Sequence, residues 1–175
     1  MANQHRQRNT NAGFSLIELI VAVVIMAVLA GGSFLSVSQI LRTNVTSCAE
    51  KIVAAFDQAR YENLYLEGTV TFQLIYEEEQ YYALTLLQKK NGETIVTEER
   101  RREMVGDGKV NIFATTSGGT TVDVSTTPIT IAFQKSSGAL DGTGVVYQSI
   151  RVENASRKAE IALVEHTGRC FLDVD

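Results

Sequence analysis

The sequence predicts an α+β fold in which one long N-terminal helix packs on an antiparallel β-sheet head. Two observations carry that prediction. Residues 14–63 contain no proline and pass from an almost wholly apolar block into apolar residues at helical spacing, which reads as one continuous helix. After Gly68 the chain changes to short runs rich in β-branched and aromatic residues, separated by turn-forming residues, which read as strands. A helix with one apolar stripe and a sheet with one apolar face bury each other in two layers. At 175 residues and a net charge of −4, the chain has room for one modest domain plus accessory segments. A mean hydropathy of +0.01 describes neither the apolar block nor the polar remainder.

The chain opens with MANQHRQRNTNAG, residues 1–13, which is polar, lacks acidic residues and carries Arg6 and Arg8. Such a flank stays on the cytoplasmic side of a membrane. The apolar block FSLIELIVAVVIMAVLAGGSFL follows at 14–35 and is long enough to cross a hydrocarbon core of roughly 30 Å as a helix. A secretory signal peptide has a similar outline, and AGGS offers small residues for its cleavage. Glu18 argues against it, because a carboxylate within the apolar block opposes insertion and marks a function with a partner.

Gly13-Phe14-Ser15-Leu16-Ile17-Glu18-Leu19 resembles the prepilin processing motif of type IV pilins and type II secretion pseudopilins. The resemblance implies that a membrane prepilin peptidase cuts after Gly13 and methylates the new amine of Phe14. Glu18 becomes the fifth residue of the mature chain. The residue types suit these roles. Glycine before the cut offers no side chain to obstruct a protease, and Glu18 in lipid would be neutralised by the terminal amine of a neighbouring subunit's Phe14, fixing the stagger of assembly.

Beyond the apolar block, Val37, Leu41, Val45, Cys48, Ile52, Phe56 and Ala59 recur every three or four residues, while Gln39, Arg42, Asn44, Glu50, Lys51, Asp57 and Arg60 fill the other face. The helix therefore continues as an amphipathic rod over 36–63. Many pilins bend this helix at a proline about twenty-two residues into the mature chain. Leu35 stands there in this sequence, which leaves Gly31-Gly32 as the expected weak point.

The head, 64–175, offers strands at 70–76, 81–88, 94–98, 109–114, 120–125, 128–134, 144–153, 159–164 and 169–174, with turns at Glu77-Glu78-Glu79 and Lys89-Lys90-Asn91-Gly92. This predicts a meander. Phe133 to Gly138, Gly142-Thr143-Gly144, the strand ending at Arg151 and Thr167-Gly168-Arg169 resemble the C-terminal half of the GspH and FimT-like minor pilins. The pilin-like fold implied by both resemblances is the same helix-on-sheet arrangement.

Catalytic and cofactor chemistry find little support. His5 leaves with the leader, and His166 sits alone in a hairpin turn without the partners of a triad or a metal site. Cys48 and Cys170 lack the spacing of a zinc ribbon or a redox pair. Outside the cytoplasm they can form a disulfide, and otherwise they are two small buried side chains. No phosphate-binding glycine motif occurs, so energy for assembly would come from a separate motor ATPase. Arg100-Arg101-Arg102 suggests an anionic partner such as DNA. Loss of Arg6 and Arg8 with the leader leaves 14 basic against 20 acidic residues, a net −6, and Glu98, Glu99 and Glu103 flank the triplet. That balance counts against nucleic acid.

The sequence thus points to a non-enzymatic subunit without cofactor or metal, held in the cytoplasmic membrane by 14–35 with its head outside. Its expected partners are the prepilin peptidase and N-methyltransferase, other pilin or pseudopilin subunits, and an assembly platform. Three rival readings remain open: a DNA-binding minor pilin of an uptake system, a single-pass anchored binding domain that keeps Gly13 uncut, and a secreted binding protein released near Gly31 or Gly32.

Overall fold

The computed structural model describes residues 16–174, and within them the side chains of 27–43 fall outside the description. One helix, α1, spans Leu16–Tyr65, and nine strands follow. The chain divides into two compact units, one ending at Ser38 and one running Gln39–Asp175.

In the second unit the strands form two antiparallel sheets rather than one meander. The first holds β3 (Thr94–Asp107), β2 (Gln80–Asn91), β1 (Thr69–Glu77) and β6 (Ile129–Ala132) in that order. The second holds β5 (Thr121–Asp123), β4 (Asn111–Thr116), β7 (Tyr147–Glu153), β8 (Lys158–Val164) and β9 (Arg169–Val174). The strand-forming runs were legible. The pairing of β1 with β6 and of β4 with β7, which separates the sheets, is a long-range choice that strand propensity does not encode.

A single apolar cluster joins the helix to both sheets. Val45, Cys48, Ile52, Phe56 and Ala59 are buried at the spacing read from the sequence, together with Ala49 and Ala55. Val37 and Leu41 of the same stripe lie outside the described side chains. The Phe56 ring meets Phe72 of β1 and Phe133 after β6 edge-to-face, with centroids 5.4 and 5.1 Å away. Val70, Phe72 and Leu74 alternate toward the helix from the first sheet, as do Ile150 and Val152 of β7 and Ile161 of β8 from the second. Burying each such side chain is worth about 1.5–3 kcal/mol, so this cluster is the principal attractive term of the domain.

Two turns differ from expectation. The first hairpin turns on Glu78 and Glu79 alone, both at positive φ (51° and 60°). The second turns on Gly92 and Glu93, with Gly92 at φ 64°, so Lys89, Lys90 and Asn91 belong to β2 instead of to the turn. Arg100-Arg101-Arg102 lies within β3, where the pairing with β2 shifts register between Thr85 and Leu86.

Candidate functional site

The N-terminal part of α1 carries an unusual surface. From Leu16 to Met26 Glu18 is the one charged residue, and it lies in the first helical turn. Leu16 is 78% exposed and Met26 67%, and all the side chains between them are exposed too. A soluble amphipathic helix confines its apolar residues to one stripe, whereas this segment is apolar on every side. Such a surface is stable only against lipid or other apolar helices. Gly13 and Phe14 lie outside the described residues. Among the described residues no helix is long and apolar enough to cross a membrane.

At its other end the helix is held by polar contacts that the sequence reading missed. Asn63, fully buried, donates through Nδ2 to the Phe133 carbonyl at 3.0 Å and accepts at Oδ1 from the Val70 amide at 2.9 Å. Arg60 donates through Nε to the Gly138 carbonyl at 3.1 Å. Lys135 donates to the carbonyls of Leu66 and Gly68, just past the end of α1. Asn63 was detectable: it falls one turn after Ala59 on the buried stripe, where a polar residue needs partners.

The two cysteines, open to either reading from the sequence, are free thiols at different places. Cys48 is buried where a Cβ on Gly106 would touch its sulfur, so that glycine makes room for it. The Cys170 thiol instead faces Asp57 Oδ1 at 3.8 Å. Asp57 is nine residues from Cys48, or about 13.5 Å along the helix, so the two thiols meet the helix at different levels. Burial pushes both thiols up to about 12; at Cys170 the negative charge of Asp57 adds to it.

The remaining candidates stay apart from one another. His166 is exposed in the turn between β8 and β9. Arg102 is taken up by Glu77 Oε2 at 2.8 Å and Glu99 Oε1 at 3.2 Å, and lies over the Tyr82 ring. Arg101 reaches toward the buried Glu62 at 3.9 Å. Two members of the triplet are thus matched by carboxylates. Among the described residues no three His, Cys, Asp or Glu side chains cluster as metal ligands would.

Residues 8–34 match the family model described as the prokaryotic N-terminal methylation motif. The chain carries the prepilin-type signature of type IV pilins and pseudopilins. No curated protein and no solved structure matches it. That signature implies processing by a prepilin peptidase and assembly with other pilin subunits. The matched segment contains Gly13, Phe14 and Glu18 and ends just before Leu35. The helix-on-sheets head is compatible with the pilin-like fold.

Proposed function

We propose that the chain is a minor pilin or pseudopilin of a type IV pilus or a type II secretion-like filament. The methylation motif leads directly into a helix segment that is apolar on every side except at Glu18, and this observation carries the reading. The prepilin is held in the cytoplasmic membrane by 14–35, with 1–13 inside and the head outside. Prepilin peptidase cuts after Gly13, and Phe14 is N-methylated. Polymerisation then exchanges lipid for neighbouring helices around the apolar segment.

Glu18 supplies the specificity of that exchange. A carboxylate among apolar helices is costly unless a cation reaches it, and the terminal amine of a neighbour's Phe14 is the cation that the cleavage creates. Apolar side chains alone would allow many axial offsets between helices, whereas one ion pair selects one. Assignment to the GspH and FimT-like group rests on the glycine-punctuated hairpins of the last forty residues. Motive force would come from a platform with a separate ATPase.

The test is to express the full chain with and without a prepilin peptidase and to determine the intact mass and N-terminal residue of the membrane fraction. The expected product begins at N-methylated Phe14, disappears without the peptidase and diminishes in Gly13→Ala. A chain that keeps residues 1–13 beside an active peptidase, or one that begins near Ser33, overturns the reading.

A further inference from the structure

The two ends of the first sheet of the head differ in charge. Strands β1 and β2 pair from Thr69↔Gln88 to Glu77↔Gln80 and close on Glu78-Glu79. Strand β2 then continues through Lys89, Lys90 and Asn91, where β3 is its sole partner, because β1 begins only at Thr69. The far end of the sheet is therefore a two-stranded ribbon. Over the 12 residues of β2, at about 3.4 Å each, the two ends lie roughly 37 Å apart.

The ribbon has the surface of an unfinished contact. A two-stranded hairpin is marginal by itself, yet this one projects Ile95, 67% exposed, and Val96, 49% exposed, opposite Lys90 and Lys89. Leu87, Lys89, Val96 and Glu98 line an open groove of about 300 Å³ along it. At the tip itself Lys89 and Lys90 stand against Glu93 alone, a local positive excess, with Glu98 further along the groove.

The opposite end is acidic. Glu78 and Glu79 border an open recess of about 510 Å³ with Tyr76, Gln80, Asp107 and Lys109, and Lys109 faces Asp107 at 3.6 Å. Three carboxylates therefore stand against one ammonium. Both glutamates occupy the left-handed backbone positions that a two-residue hairpin normally gives to asparagine or glycine. Neither is the residue that turn geometry would select.

We infer that the β2–β3 ribbon of one copy docks, through Lys89 and Lys90, on the Glu78-Glu79 end of the next copy. The inference rests on the filament-subunit reading. Two unlike patches at opposite ends of one sheet make a head-to-tail contact, and head-to-tail contacts that do not close on themselves generate filaments. Charge complementarity selects the register, while the tyrosine-lined recess covers the apolar side chains of the ribbon. Contact between heads would then add to the contact between N-terminal helices.

The test uses the full-length chain in cells containing a prepilin peptidase, with Cys48 and Cys170 both changed to alanine. Glu79→Cys and Lys90→Cys are introduced singly and together, and the membrane fraction is oxidised. The double variant is expected to form a ladder of disulfide-linked multimers and each single variant none, since 37 Å or so forbids closure within one copy. Lys89→Glu should reduce the ladder about tenfold, and adding Glu78→Lys should restore it. A double variant that is processed at Phe14 yet stays monomeric, or links to another protein, overturns the docking and leaves the filament reading standing. An uncut chain that still forms the ladder supports the docking and overturns the filament reading.

Discussion

The Nε–H of Arg60 on α1 donates to the carbonyl of Gly138, 78 residues later in the chain, at 3.1 Å. This one bond ties the helix to the turn after β6, and the same carbonyl closes off the space beside Gly168 in the turn between β8 and β9. Two loops far apart in sequence thus meet at a single guanidinium.

Gly168 should be the least replaceable glycine of the head. A Cβ there would collide with the Gly138 carbonyl and approach Arg60, and its φ of 61° is unfavourable for any side chain. Gly168→Ala is expected to destabilise the head by about 3 kcal/mol or more. Gly92→Ala, at a similar φ but in open space, should cost only about 1 kcal/mol. Denaturant titration of the purified full chain in detergent compares the two; equal losses would refute the clash.

Asn63→Ala leaves the Val70 amide and the Phe133 carbonyl without their partner in a buried site. The expected loss is about 2–4 kcal/mol, since each abandoned group carries its desolvation penalty. Hydrogen exchange should show the Val70 amide losing protection. Exchange at Val70 as slow as in the parent chain would show that the bond is dispensable.

The raised thiols make stability fall at alkaline pH. Each cysteine in the folded chain holds its proton up to about 12, while in the unfolded chain it ionises near 9. Below pH 9 this contribution is fully present, and it is lost as pH rises from about 9 toward 12, because only the unfolded state then releases protons. At pH 8 both thiols should react with an aromatic disulfide roughly a thousandfold more slowly than in denaturant, the ratio of thiolate fractions. Comparable rates in the two states would show that the thiols are accessible and ionised.

Glu18→Ala separates processing from assembly. Gly13 and Phe14, the residues on either side of the cut, are untouched, so mass analysis should still find a chain beginning at N-methylated Phe14. Sedimentation of sheared filaments should show a large loss of the variant from polymer, because no carboxylate meets the incoming amine. Incorporation at the parent level would remove Glu18 from the assembly mechanism.

Much of this architecture was written in local pattern. Residues Val45 to Ala59 announced the buried stripe, and the β-branched runs announced the strands, because both signals depend on neighbours three or four, or two, positions away. The division into two sheets was hidden, since β1 chooses β6 across more than fifty residues through packing that no local window contains. Lys89 and Lys90 looked like turn residues by composition, yet Gly92 takes the turn and leaves the lysines paired with Val96 and Ile95. The Gly13–Glu18 motif was legible because its chemistry needs fixed residue types at fixed spacing. Arg60 was placed on the polar face, and its carbonyl partner could not be foreseen.

The late arrival of β6 has a kinetic meaning. Gln73 of β1 pairs with Thr130 of β6, 57 residues on, whereas β1, β2 and β3 join through turns of two residues each. The three-stranded ribbon can form as soon as Asp107 is available, but one side of β1 then stays open, with unpaired amides and carbonyls, until Ile129–Ala132 follows. Closing that longer loop is slow relative to hairpin formation. In that interval β1 is an exposed edge able to capture a strand from another chain, so the moment of greatest danger for this head is before its fourth strand exists.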